Sequence, residues 1–149
     1  VVCSQYRRYK TVNSYDYVEG MCFWTKNDNR QVINYPKAHY DNGVSRHQDS
    51  SKWYKPVVRL FKNCRGSIYG DATPSYFLEC MLYNTPNSKF GTSYGDTFCN
   101  IVNWLNENSL DNFVCQNEQL NLFGISQEQW STSEAKTFIK NLISLWNNW

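Results

Sequence analysis

Two kinds of hydrophobic pattern divide this chain. Up to residue 35 the apolar residues fall in short runs rich in β-formers: Val1-Val2-Cys3-Ser4-Gln5-Tyr6-Arg7-Arg8-Tyr9, then Met21-Cys22-Phe23-Trp24, then Gln31-Val32-Ile33-Asn34-Tyr35. The Asn27-Asp28-Asn29 turn between the last two predicts a hairpin over Met21 to Tyr35, and the polar stretch Thr11 to Glu19 reads as a loop or edge excursion. After Pro36 the period becomes helical. A helix is expected over 36–48, and another over Pro56 to Arg65, where Val57, Leu60, Phe61 and Cys64 repeat at i, i+3, i+4 and i+7. Ser51 offers that helix a cap, although Pro56 would then sit past the first turn, and Gly66 and Gly70 end it.

Thr73 and Pro74 read as cap and first helical residue of a segment continuing to Asn84, apolar nearly all round and so expected at the centre of the core. A polar loop through Pro86, Gly91 and Gly95 leads to a helix with Phe98, Ile101, Val102 and Leu105 on one side. Ser131-x-x-Glu134 predicts a capping box for a last helix burying Ala135, Phe138, Ile139, Leu142 and Trp146. The expected fold is α+β: short antiparallel strands over 1–35, then a mainly helical lobe over 36–149.

Composition narrows the function classes. With 149 residues, 41% hydrophobic and 17% aromatic, the chain can bury one sizeable core and is not disordered. A net charge of +2 is too mild to mark a nucleic-acid binder, so anion binding must come from local clustering. Six cysteines lack any C-x-x-C pair or metal-ligand spacing to His39 or His47, which argues against zinc and leaves both histidines as expected surface residues. Cys64, Cys80 and Cys99 lie among apolar residues of helical segments, as reduced thiols inside a cytoplasmic protein would. No stretch approaches the ~20 apolar residues of a membrane span. The chain starts at Val1 inside a predicted strand, so the natural amino terminus is expected upstream.

Candidate chemistry concentrates in two places. Lys55, Arg59 and Lys62 lie at i, i+4 and i+7, opposite the apolar face of their helix. Such a stripe is either the solvated side of a core helix or a set of cations held rigidly enough for a triphosphate, whose transfer is catalysed by positioning and charge neutralisation. Ser75 and Tyr76 occupy the first turn of the next helix, where free N–H groups favour an anion and an aromatic ring can stack on a base. Equally, Ser75 can be a cap and Tyr76 a core aromatic. Asp71 and Glu79 are isolated acids, Glu79 reading as a buried hydrogen-bonding partner rather than a catalytic base. No Gly-rich phosphate loop, G-x-S-x-G elbow or H-E-x-x-H is present, so no catalytic residue and no metal ligand set is assigned within the chain.

These segments carry a family resemblance. Lys55-Pro56-Val57-Val58-Arg59-Leu60-Phe61-Lys62-Asn63 and Pro74-Ser75-Tyr76-Phe77-Leu78-Glu79-Cys80-Met81-Leu82-Tyr83-Asn84 resemble consecutive segments of bacterial cyclic-oligonucleotide synthases and animal oligoadenylate synthases, with cyclic GMP-AMP synthase more distant. Ile33-Asn34-Tyr35-Pro36, His39-Tyr40-Asp41-Asn42-Gly43, Leu122-Phe123-Gly124, Gln129-Trp130 and Leu145-Trp146-Asn147-Asn148-Trp149 extend the resemblance over nearly the whole chain. It implies a carboxyl-terminal portion: a remnant of the palm sheet over 1–35 and the helical nucleotide-binding lobe after it.

By position, Lys62 resembles the family's triphosphate-contacting lysine and Arg59 its basic neighbour. Ser75 and Tyr76 resemble the pair that touches phosphate or sugar and stacks on a base. The family's palm carries three carboxylates that bind two Mg²⁺ ions, and all three would lie upstream of Val1. The resemblance therefore implies a parent that joins nucleoside triphosphates into a cyclic or linear oligonucleotide signal in bacterial antiphage defence, while the chain alone is expected to be inactive. A non-enzymatic nucleotide- or RNA-binding module reusing the lobe, or a plain interaction domain, are the competing expectations, and neither a membrane partner nor a particular protein activator is implied.

Overall fold

The computed structural model describes residues 2–68 and 70–149. Three strands, β1 (Ser4–Tyr9), β2 (Tyr17–Trp24) and β3 (Gln31–Asn34), form an antiparallel sheet in the order β1-β2-β3. Among the described residues five helices follow: α1 (Pro36–Asp49), α2 (Tyr54–Gly66), α3 (Ser75–Tyr83), α4 (Tyr94–Glu107) and α5 (Thr132–Asn147), with one 3₁₀ turn at Asn87–Lys89. The α+β expectation holds. Val1, where the first predicted strand opens, lies outside the described residues.

The sheet differs from the expected hairpin at one end. β2 begins at Tyr17 rather than Met21, because Tyr17, Val18 and Glu19 pair with Tyr9, Arg8 and Arg7 of β1. The Tyr9 and Tyr17 rings meet across the strands at 5.5 Å, tilted by 57°, and the Arg7 guanidinium sits 4.6 Å over the Tyr17 ring, so aromatic pairing extends a stretch that looked polar. Only Lys10 to Asp16 remains as turn, closed by a Lys10–Asp16 ion pair. Gly20 faces the end of β3, and a Cβ there would come within 2.8 Å of the Asn34 carbonyl and 3.0 Å of the Tyr35 ring. Its bare backbone lets the buried Tyr35 close the sheet against α1.

The helical lobe is organised around α2, whose buried Val57, Phe61 and Cys64 meet α3, α4 and α5, whereas Leu60 is only partly buried. Ser51 is not its cap: Ser51 and Lys52 take left-handed backbone conformations, and Ser50 Oγ accepts from Tyr54 N–H at 2.9 Å. The helix therefore starts at Tyr54, and Pro56 falls in the first turn, where its missing N–H had no partner to lose. α3 starts one residue later than expected. Pro74 is its extended N-cap residue (ψ 137°), and Thr73 N–H goes to Asp71 Oδ1 at 2.7 Å instead of Thr73 capping the helix.

Three further expectations are corrected. Gly95 lies within α4, which Ser93 caps by accepting from Asp96 N–H. Ser131 is the N-cap residue of α5, but its hydroxyl pairs with Ser133 Oγ at 2.6 Å, so the capping box does not form. Trp146 is 41% exposed rather than buried, stacked on Phe98 with ring centroids 5.3 Å apart. The segment between α4 and α5 has almost no regular structure, yet it buries Leu110, Phe113, Cys115, Leu122 and Trp130 in the same core. Among the described residues the cysteines are free thiols, with Cys22, Cys64, Cys80 and Cys115 buried.

Candidate functional site

The basic stripe of α2 faces a cleft of about 260 Å³ between α1, α2 and α3. Lys55, Arg59 and Lys62 line one wall, His39 and Tyr40 of α1 a second, and Glu79 of α3 with Gln116 the rest. The helical period explains why the three cations arrive together: Val57, Phe61 and Cys64 turn into the core, which sends Lys55, Arg59 and Lys62 to the cleft side of the helix. Three cations against one carboxylate leave the cleft positive.

Glu79 is engaged on both oxygens. Lys62 Nζ donates to Oε2 at 3.1 Å, and His39 Nε2 lies 3.8 Å from Oε1. The His39 contact first, then the Lys62 ammonium, hold the Glu79 carboxyl below its ordinary range despite half-burial. A folded-state value below the unfolded one means that this stabilisation is complete above the ordinary carboxyl value of 4.5 and is lost as pH falls through the lower folded value. Urea unfolding of the chain should therefore show an acid-side loss of stability below about pH 4.5 that is smaller in Glu79→Gln; identical pH profiles would remove the assignment.

The four residues singled out in the sequence do not all share this cleft. Arg59 and Lys62 line it. Tyr76 adjoins it through His39, their rings stacked at 5.5 Å and 25°. Its hydroxyl turns inward, where it accepts from Asn117 Nδ2 at 3.3 Å and burial holds its pKa well above the ordinary phenol value. Ser75 stands outside: it is exposed at the start of α3, and its Oγ accepts from Arg65 at 2.9 Å while the same guanidinium reaches the Thr73 carbonyl. Because Ser75 is an acceptor there, its own proton is free to donate.

Several residues of the site were not anticipated. His39, expected on the surface, is partly buried between Glu79 and Tyr76; the signal for it lay in α1, where His39 and Gly43 share one helical face. Arg65 continues the stripe at i+3 from Lys62. Gln116 and Asn117 come from the irregular segment and carry no periodic signal. Gln116 is buried, with its Nε2 donating to the His39 carbonyl at 2.8 Å and its Oε1 accepting from the Tyr54 hydroxyl.

Gly43 makes room for this glutamine, since a Cβ at that position would lie 2.5 Å from Gln116 Nε2. Gly to Ala inside a helix ordinarily gains about 0.5–1 kcal/mol. Here Gly43→Ala should instead cost about 1–3 kcal/mol through overpacking, because hydrogen bonds pin Gln116 at both ends. Chemical denaturation reads the sign directly.

The Mg²⁺ that the resemblance implies does not fit the donors of this chain. Among the described residues no group of three or more His, Cys, Asp or Glu could hold a metal ion, and the one carboxylate of the cleft is committed to Lys62 and His39.

This fold is that of a helical lobe with a cation-lined cleft between α1, α2 and α3. The sequence model for the cGAS/DncV-like nucleotidyltransferase C-terminal helical domain matches residues 41–147, and the chain belongs to that family. It is 47% identical over 156 aligned residues to a cyclic UMP-AMP synthase of Rhodothermus marinus, covering 100% of this chain and 54% of that protein. It is 36% identical to the cyclic nucleotide synthase CdnE01 of Staphylococcus haemolyticus, with the same coverage of 100% and 54%.

Among solved structures, the Rhodothermus marinus CdnE c-UMP-AMP synthase with Apcpp and Upnpp matches at a TM-score of 0.94 and 47% identity, over 100% of this chain and 53% of that one. The Elizabethkingia meningoseptica CdnE cyclic dinucleotide synthase with GTP and Apcpp matches at 0.80 and 27% identity, over 98% and 55%. The chain spans about half the length of the curated relatives it matches. No helix among the described residues is long and apolar enough to cross a membrane.

Proposed function

We propose that this chain is the nucleotide-holding carboxyl-terminal portion of an enzyme that joins nucleoside triphosphates into a cyclic or linear oligonucleotide second messenger, with residues 1–35 continuing a palm sheet and 36–149 forming the lobe that closes on the substrates. The observation that carries this reading is the match over the whole chain to a synthase solved with Apcpp and Upnpp. The cleft supports it, because the cations it presents are fixed on a rigid helix.

In this reading Lys62 and Arg59 neutralise the triphosphate and hold it in one orientation, so that a reacting group is delivered at high effective concentration. Ser75 donates its free proton to a phosphate or ribose oxygen, and Arg65 keeps its Oγ in place. One face of Tyr76 is taken by His39, so a base stacks on the other, an interaction worth about 1–3 kcal/mol. In this reading the magnesium chemistry belongs to carboxylates outside this chain.

The test is to incubate a longer protein carrying this chain with labelled nucleoside triphosphates and Mg²⁺, and to look for a phosphatase-resistant oligonucleotide. The 149-residue chain alone is expected to bind triphosphate and form no product. Absence of triphosphate binding would sink the reading. Binding with no product from the longer protein would mark a non-enzymatic nucleotide-binding lobe instead.

A further inference from the structure

Glu79 stands where the two halves of the site meet. On α3 it follows Ser75 at i+4 and Tyr76 at i+3, so it shares their side of the helix, and its carboxylate reaches across to both α1 and α2. Oε2 takes the Lys62 ammonium at 3.1 Å and Oε1 faces His39 Nε2 at 3.8 Å, while the His39 ring lies flat on Tyr76 at 5.5 Å. An unbroken line of contacts therefore runs from the cation that would face a triphosphate to the ring that would face a base.

The backbone at both ends of this line is pinned. The Glu79 carbonyl lies 3.0 Å from the buried Tyr54 hydroxyl, whose one proton is shared between it and Gln116 Oε1, and the His39 carbonyl accepts from Gln116 Nε2 at 2.8 Å.

A carboxylate in a cleft that receives an anion opposes binding through like-charge repulsion, so its presence needs a compensating gain. Geometry supplies that gain. A lysine is a point charge on a flexible stem with three donors, and fixing one donor on Glu79 removes most of the freedom of the stem while leaving two donors for a ligand. An ammonium held this way loses less entropy when phosphate arrives.

We propose that Glu79 is a positioning residue for the nucleotide: one carboxylate sets the Lys62 ammonium for the triphosphate and, through His39, the Tyr76 ring for the base. The proposal rests on the reading of the cleft as a triphosphate site. It gives Glu79 a role that opposes its charge, which makes the sign of its removal decisive.

Glu79→Gln keeps the size of the side chain and deletes the charge. ATP and UTP are titrated into the 149-residue chain by calorimetry, and binding is expected to weaken about tenfold, as loss of a charge-assisted hydrogen-bond partner predicts. Unchanged or tighter binding, the result expected if Glu79 is only a repelling charge, overturns the proposal. In the same samples the proton NMR shifts of the His39 ring, displaced by its stack on Tyr76, should move toward those of a free imidazole. A melting curve matching the unsubstituted chain separates this from unfolding.

If Glu79→Gln fails to fold, Glu79→Asp retains the charge but shortens the reach, and affinity equal to the unsubstituted chain would likewise overturn the idea. If the unsubstituted chain takes up neither nucleotide, the triphosphate reading fails by itself. The His39 shifts then decide on Glu79, and shifts that stay put in Glu79→Gln count against it.

Discussion

Lys62→Ala should weaken triphosphate binding by about 10- to 100-fold, the value of one or two hydrogen bonds from a charged donor. The expectation follows from its place rather than its charge alone. Lys62 lines the cleft beside Arg59, and its ammonium is held there by the Glu79 carboxylate. Calorimetric titration with ATP and UTP would measure it, with Lys140→Ala, an exposed lysine of α5, as the control for a general loss of positive charge. Raising ionic strength should narrow the difference between Lys62→Ala and the unsubstituted chain, since a partly exposed cation is screened. Equal losses in the two variants would show that binding depends on net charge and would remove Lys62 from the site. Lys62→Ala also strands Glu79, so a small stability loss should accompany it.

Phe61→Ala should cost about 3–5 kcal/mol of folding stability. The ring is fully buried one residue before Lys62, on the core side of α2, and meets Phe98 of α4 at 5.1 Å. Leu78, Ile101 and Leu142 are fully buried in the same cluster, so the space left by the ring can be filled only by disturbing a close-packed core. A domain this size has about 5–15 kcal/mol in total, so the variant should unfold at much lower urea while its folded fraction still binds triphosphate. The pair of substitutions thus separates the two faces of one helix: Lys62→Ala changes affinity with little change in stability, and Phe61→Ala does the reverse. A loss below about 1.5 kcal/mol for Phe61→Ala would contradict the packing of α2 against α4.

Much of the fold and part of the site could be read from residues alone. The helical period around Val57, Phe61 and Cys64 located α2 and its wet face together, because 3.6 residues per turn ties the direction of one side chain to that of its neighbours. Arg59 and Lys62 followed from that geometry. Ser75 was read correctly as belonging to the first turn of α3, but the cleft that gathers Arg59 and Lys62 does not include it. His39 was misread because a histidine sharing a face with Gly43 on a polar helix does not name its partners, and those partners, Glu79 and Tyr76, come from a helix about forty residues away.

Capping was the least reliable inference. Ser131 and Glu134 have the spacing of a reciprocal cap, yet a hydroxyl two residues on competes for the serine. Ser51 lost its place because the chain turns through two left-handed residues and brings Ser50 under the helix instead.

What the sequence determined by itself is local: which stretches are strand or helix, which face of α2 is dry, and which cations share the other face. Such properties depend on residues within a few positions of one another, and the period of the backbone encodes them. What only the tertiary structure decided is which side chains from different elements meet: Glu79 between Lys62 and His39, Gln116 against Gly43, and the unpatterned segment after α4 serving as core. The physical reason is that long-range contacts are settled by packing and by the pairing of half-buried polar groups, which no periodicity along the chain records. The cationic stripe was legible, and the carboxylate that pairs with its Lys62 became visible only once α1, α2 and α3 were packed together.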